Sequence, residues 1–404
     1  MKLFKRSKLN QKGFSHVEAV LAILVIAGIT AVGVRVITGS HAATISKIVY
    51  TNGTGIYTVD AQGNNTKVYS SAKTANGGVS YATWANNQSQ IYWGFKTQTT
   101  SAQIQKAPEI HSMTYDGQQV KNITSLDALP GYTQLTNLWW SESAQKLLFT
   151  LETNQTTTTL SSSYVYTMNS DGSGLKQIYT INGSIGYARA AYWSPNGKKV
   201  FIGVAGNISP WYGGYMIVVN SDGTNLITLK HDPLDPHGNL STFASHNPWS
   251  SDSSNLVFSD NTNYNNQYVN AVMTEPSDGS KLPQFVSQIS PSIRINNINN
   301  GPQWSSDGTS IVYCGKIIAT TSSSQCYRVR FTAANQISPQ TSVVVGSQIT
   351  LMGSTFDFSP NSSAISYGIY SNNLNPLYKL NLNSGTSTNL NVVNTAPYFE
   401  WSIQ

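Results

Sequence analysis

Trp193-Ser-Pro-Asn-Gly-Lys-Lys-Val-Phe-Ile and Trp304-Ser-Ser-Asp-Gly-Thr-Ser-Ile-Val-Tyr are two copies of one phrase, and that phrase decides the fold. Each reads as the end of one strand, a tight Asx-Gly turn, and a second strand of alternating β-formers. Working outward, the aromatic-small pair recurs as Trp84-Ala85, Trp140-Ser141, Trp249-Ser250, Phe358-Ser359 and Trp401-Ser402. The first six copies are spaced 53 to 56 residues apart. About thirty residues after an anchor comes a second strand-and-turn phrase, as in Val165-Tyr-Thr-Met-Asn-Ser-Asp-Gly, Met216-Ile-Val-Val-Asn-Ser-Asp-Gly and Met113-Thr-Tyr-Asp-Gly. Fainter copies are Tyr57-Thr-Val-Asp-Ala-Gln-Gly, Met273-Thr-Glu-Pro-Ser-Asp-Gly, Tyr327-Arg-Val-Arg-Phe and Tyr378-Lys-Leu-Asn-Leu-Asn-Ser-Gly. Four short strands per unit with this punctuation predict the blades of a β-propeller.

The two ends of the array set the blade number. The last anchor, in Tyr398-Phe-Glu-Trp-Ser-Ile, stops after a single strand, whereas Ser46-Lys-Ile-Val-Tyr-Thr matches the second strand of a later unit, Thr309-Ser-Ile-Val-Tyr-Cys. Residues 46–70 therefore supply three strands of a blade and 397–404 the missing innermost one. Joining them closes a ring of seven blades over 46–404 and removes open sheet edges. The repeat resembles the WD40-like repeat of the TolB family (the Trp-Ser-Pro-Asp-Gly type). That resemblance implies the fold; propellers serve many unrelated functions.

Repeated aromatics at one blade position are expected to fill the core between blades, and the repeated Asp-Gly pairs to form turns and not calcium sites. The Thr/Ser-rich stretches 97–101, 153–163 and 320–324 read as long loops of one rim, the usual place for a propeller to bind partners.

Ahead of the array, Lys12-Gly13-Phe14-Ser15-His16-Val17-Glu18 leads into an uncharged apolar run, Ala19 to Val34. As a helix, residues 14–37 would reach about 36 Å, enough to cross a bilayer. Lys2, Lys5, Arg6, Lys8 and Lys12, with no acid among them, keep the N-terminus cytoplasmic and send the rest across. A carboxylate at the start of a spanning helix is costly and needs a role. The arrangement resembles the leader of type IV prepilins and pseudopilins. The resemblance implies cleavage by a prepilin peptidase after Gly13, N-methylation of Phe14, and a Glu18 contact with the terminal amine of a neighbouring pilin-like subunit. Ser15, His16, Val17 and Ala19 depart from the commoner residues around that Glu. Two other readings are an uncleaved anchor and an ordinary signal peptide cut near Ser40-His41-Ala42. The expected order is thus a leader (1–13), a transmembrane helix (14–37), a linker (38–45) and the propeller.

Only 10% of the residues are charged, a neutral polar surface of the kind common outside cells. Five of the six net positive charges lie in residues 1–13, so the processed chain carries +1 and has no basic patch for nucleic acid. Cys314 and Cys326, the sole cysteines, would face each other if their segments form a hairpin, and could close a disulfide after export; two free thiols are the alternative.

The chain contains no Gly-x-Ser-x-Gly, His-Glu-x-x-His or Gly-Lys-Ser/Thr phosphate-loop motif, and no cofactor or enzymatic activity is expected. One cluster invites chemistry: His231, Asp232, Asp235, His237 and His246 crowd just before Trp249 and could ligate a divalent metal near the central channel. Oligogalacturonate lyases, which carry similar repeats, hold a metal at that mouth; the resemblance here extends to the repeats only. The same residues also read as a proline-punctuated solvated loop. The expected product is a membrane-anchored, extracytoplasmic propeller that binds an extracellular protein or glycan. An exported polysaccharide-cleaving enzyme and a TolB-like envelope scaffold are the alternatives.

Overall fold

The computed structural model describes residues 47–401, less 53–54, 71–76, 86–87, 98–107, 126–131, 154–160, 207–214, 230–247, 265–266, 289–292, 295–300, 318–322, 335–336, 338–342, 351, 370–375 and 393–398. The chain opens with β1 (Lys47–Thr51), β2 (Gly55–Asp60) and β3 (Asn65–Ser70). A first full blade follows: β4 (Gly77–Ala85), β5 (Gln90–Thr97), β6 (Glu109–Thr114) and β7 (Lys121–Ser125). The second is β8 (Tyr132–Ser141), β9 (Lys146–Thr153), β10 (Ser163–Asn169) and β11 (Lys176–Ile181). The third is β12 (Gly186–Trp193), β13 (Lys199–Gly206), β14 (Tyr215–Asn220) and β15 (Ile227–Thr228). The fourth has β16 (Asn255–Tyr264), β17 (Gln267–Pro276) and β18 (Gln284–Gln288). The fifth has β19 (Ile293–Arg294), β20 (Gln303–Trp304), β21 (Ser310–Ile317), β22 (Ser323–Arg330) and β23 (Val343–Thr350). The sixth is β24 (Met352–Phe358), β25 (Ala364–Ile369), β26 (Leu377–Asn381) and β27 (Ser387–Val392).

The last strand, β28 (Phe399–Trp401), does not form a sheet of its own. It pairs antiparallel with β1, with Trp401 opposite Ile48 and Phe399 opposite Tyr50, and so supplies the inner strand of the opening sheet. Seven antiparallel sheets result, and the protein is an all-β, seven-bladed propeller.

The core lies between the blades. Among the described residues seven clusters of buried apolar side chains occur, and each joins two neighbouring sheets. One packs Phe201, Met216 and Val218 of the third blade against Trp249, Leu256 and Phe258 of the fourth. Another packs Val49 and Ile56 of the opening sheet against Trp84, Ile91 and Trp93 of the first full blade, completing the ring. The repeated aromatics are therefore core residues: Trp249 and Trp304 are fully buried and Trp84, Trp140, Trp193 and Phe358 nearly so. Strand alternation explains the pattern, because successive side chains face opposite neighbours.

Two blades depart from four regular strands. In the fourth, the inner strand is reduced, among the described residues, to an isolated bridge between Trp249 and Leu256. In the fifth, β20 pairs over two residues, and β19 adds a second short pairing to β21. Pro248 and Pro302 stand immediately before the bridge and before β20. Proline has no N–H to give the ladder, which limits pairing there.

Among the described residues no helix is long and apolar enough to cross a membrane; the expected spanning segment 14–37, with Gly13, Phe14 and Glu18, lies outside them.

Candidate binding surface

An antiparallel four-stranded blade places its first and third turns at one end and its second turn, with the crossing to the next blade, at the other. The propeller therefore has a turn rim and a loop rim. The repeated phrases build the turn rim, and their polar atoms are spent there. In the third blade Ser194 Oγ donates to Asn196 Oδ1 (2.9 Å) and accepts from the Lys199 amide (2.9 Å). Ser250 with Asp252, Ser305 with Asp307, and Ser359 with Asn361 repeat the arrangement at 2.6, 2.6 and 2.9 Å. The third-turn aspartates behave alike: Asp171 Oδ1 accepts from the Ser173 hydroxyl (2.6 Å) and amide (2.9 Å). The Ser173 hydroxyl, helped by its amide, holds the Asp171 carboxyl below the usual range, and Thr224 does the same for Asp222. These carboxylates are turn acceptors.

The turn rim is also stitched from blade to blade. Ser143 Oγ donates to the Pro195 carbonyl (2.6 Å), the Asn196 amide to Ser253 Oγ (3.1 Å), and Lys199 Nζ to Ser277 Oγ (3.1 Å). Further inward, at three of the interfaces, the residue before the anchor aromatic reaches the next blade. Thr83 Oγ1 accepts from the Trp140 amide (3.3 Å), and Trp139 tilts onto Tyr192 with ring centroids 5.5 Å apart. Gln303 Nε2 donates to Asp357 Oδ1 (3.3 Å). This inner collar is absent from the sequence-based expectations, although its signal is present: a polar or aromatic residue stands directly before most anchors.

The loop rim carries the connections β5–β6, β9–β10 and β21–β22 and the crossings between blades. Their described flanks yield one pair of titratable groups. Glu109 and His111, two apart on β6 and so on one face, bring Oε2 and Nε2 to 3.0 Å, and both are mostly buried. The imidazole stacks on Trp93 (5.3 Å), which in turn meets Tyr69 of the opening sheet (4.9 Å). The packing of this carboxylate–imidazole pair is that of an inter-blade contact.

The histidine cluster His231, His237 and His246, with Asp232 and Asp235, lies outside the described residues, in the segment leading from β15 to the inner strand of the fourth blade. Among the described residues no three His, Cys, Asp or Glu side chains come together to hold a metal. Cys314 and Cys326 stand opposite each other on β21 and β22 and form a disulfide, Cα atoms 4.1 Å apart, buried at the interface with the sixth blade.

No protein-family model matches the chain, and no curated protein matches it in sequence. Solved structures do match in shape. A protein of Bacteroides fragilis assigned to the 6-phosphogluconolactonases is 13% identical, over 90% of this chain and 99% of its own, with a TM-score of 0.55. A puromycin-hydrolyzing peptidase of Mycobacterium tuberculosis is 12% identical, over 85% of this chain and 50% of its own, with a TM-score of 0.58. TolB from Acinetobacter baumannii is 12% identical, over 89% and 82%, with a TM-score of 0.48. The likeness is one of fold. Propellers serve many unrelated functions, so the shape by itself selects none of them.

Proposed function

We propose that this chain is a membrane-anchored, pilin-like protein that holds a β-propeller outside the cytoplasm and binds an extracellular protein or glycan with its loop rim. The observation that carries the binding role is the division between the rims. The turn rim spends its repeated serines and aspartates on its own turns, whereas the second turns and the crossings between blades, at the other rim, carry no such repeated phrase. Loops on a rigid scaffold can vary without disturbing the core. Anchoring rests on the Gly13-Phe14 to Glu18 arrangement and the apolar run after it. In this reading Phe14 is the methylated terminus and Glu18 the contact to another pilin-like subunit. The buried Cys314–Cys326 disulfide agrees with an oxidising compartment.

N-terminal sequencing and intact mass of the protein from native membranes test the anchor. A chain beginning at N-methyl-Phe14 supports it; a chain beginning near Ala43 makes the protein a released propeller and removes the pilin-like role. Exchanging loop 154–160 for a short Gly-Ser turn tests the rim: ligand or cell binding should fall while the unfolding midpoint stays in place.

A second reading, an exported metal-dependent enzyme, is favoured by one observation only, the crowding of His231, His237 and His246 in the sequence. It requires stoichiometric metal in the purified protein and loss of that metal in His246→Ala. A TolB-like envelope scaffold would bind its partners without exposure at the cell surface.

A further inference from the structure

The third turns carry a feature that neither turn formation nor the blade core explains. Four residues after the turn aspartate, at the entry to the outer strand, four consecutive blades place an exposed apolar side chain. Val120 follows Asp116, Leu175 follows Asp171, Leu226 follows Asp222 and Leu282 follows Asp278, with fractional exposures of 43%, 39%, 50% and 50%. Tyr115, beside the first of these turns, is 57% exposed. Isolated exposed leucines are ordinary. Four at one blade position are different: the ring symmetry sets them in one plane, along an arc of the turn rim's outer edge. An exposed lysine adjoins three of them, Lys121, Lys176 and Lys281. The aspartates that share the rim are drawn into their own turns, Asp222 by Thr224 and Asp278 by Ser280.

The chain also enters the propeller at this rim. Lys47, the first residue of β1, is paired with Asp60, the last of β2, where the third turn of that sheet begins. If residues 14–37 cross a membrane, nine residues separate that segment from Lys47, and even fully extended they span at most about 35 Å. On the anchoring reading the tether attaches at this rim, so weak contacts between the rim and the bilayer act at high effective concentration.

We propose that the arc of Val120, Leu175, Leu226 and Leu282, with Tyr115 and the adjoining lysines, rests in the headgroup layer of the membrane that anchors the chain. A flat arc suits a flat surface. Leucine and tyrosine settle at the boundary between headgroups and acyl chains, while lysines extend their amines to phosphates. The loop rim is then directed away from the bilayer. This inference rests on the anchoring reading above.

The test uses the full-length chain in vesicles of phosphatidylcholine and phosphatidylglycerol. Single cysteines replace Leu175, Leu226 or, at the loop rim, Ser184, and each carries a polarity-sensitive dye; the native cysteines are bonded and do not react. Nitroxide-bearing lipids should quench the dye at Leu175→Cys and Leu226→Cys and leave Ser184→Cys bright. Placing carboxylates on the same arc with Val120→Glu and Leu282→Glu should release the quenching at Leu226→Cys without changing flotation. Equal brightness at both rims overturns the proposal. So does a dye at Leu226→Cys shielded from aqueous iodide yet untouched by lipid nitroxide, since a protein surface, such as a second copy, would then cover the rim. Failure of the chain to float with the vesicles would instead remove the anchoring reading itself.

Discussion

Gly172, in the third turn of the second blade, lies directly against the backbone carbonyl of Ile123 in the outer strand of the first, with a left-handed φ of 87°. The relationship repeats around the ring. Gly117 meets the Val68 carbonyl, Gly223 meets Ile178, Gly63 meets Leu390 and Gly385 meets Val345. Each of these glycines closes its turn and also sets the distance to the preceding blade. A Cβ at Gly172 would overlap the Ile123 oxygen and oppose the positive φ as well. Gly172→Ala should therefore lower stability by roughly 2–3 kcal/mol. Gly279→Ala should cost less, because its Cβ would meet the movable Ile227 Cγ2, at 3.0 Å. Urea midpoints of the two variants, compared at equal m-value, check the order.

The serine after each anchor is predicted to be a stability residue and not a nucleophile. Ser305 Oγ donates to Asp307 (2.6 Å) and accepts from the buried Ser310 amide (3.0 Å). Ser305→Ala leaves that amide unpaired, at a cost of about 1–2 kcal/mol. Thermal unfolding should register the loss while ligand binding at saturating concentration is unchanged.

Trp304 is fully buried and packs on Phe331 with ring centroids 5.3 Å apart, in the interface of the fourth and fifth blades. Trp304→Ala should remove about 3–5 kcal/mol. Because every blade leans on two neighbours and the ring is closed, the loss should appear as one cooperative transition at a lower midpoint. A separate early transition of one blade would contradict it.

The disulfide closes a twelve-residue separation within one hairpin. Its removal in the double variant Cys314→Ala/Cys326→Ala should cost roughly 2–3 kcal/mol, at the modest end for such links. Mass spectrometry after alkylation of the unreduced, denatured protein should find no modified cysteine in the wild type.

The pH profile should fall at both ends. Asp171 and Asp222 titrate below the ordinary carboxylate value in the folded state, chiefly through the Ser173 and Thr224 hydroxyls. Their contribution is present above the unfolded value near 4 and is lost as pH drops through the lower folded value. Burial pushes Tyr50 and Tyr367 up from 10.0 to about 12. Below pH 10 both states hold those protons; above it the unfolded chain ionises first, so stability declines until the folded tyrosines ionise near 12. Unfolding midpoints measured across both limbs, with Tyr367→Phe flattening the alkaline one, check the assignment.

Much of this architecture was legible in the chain. The spacing of Trp193, Trp249 and Trp304 gave the blade period, and the half-unit after Ser46 paired with the half-unit at Trp401 gave the count. Such features are local: a turn needs its Gly and Asx, and a strand its alternation, whatever lies around them. The glycine contacts were not legible, because Gly172 reads as a turn residue until Ile123, some fifty positions earlier, is seen beside it. The inner collar of Trp139, Tyr192, Gln303 and Asp357 was hidden for the same reason.

By itself, the sequence determined a closed ring of seven β blades, through repeats whose faces are buried only against their neighbours, and it places a basic stretch, an apolar run and Glu18 ahead of them. Only the tertiary structure decided which side chains are consumed and which remain available. Stacking the blades turns repeated serines, aspartates and glycines into one tightly hydrogen-bonded rim, and it sets Val120, Leu175, Leu226 and Leu282 on a common arc. Those relationships depend on the angle and separation of neighbouring sheets, which packing fixes and which no spacing along a single chain contains.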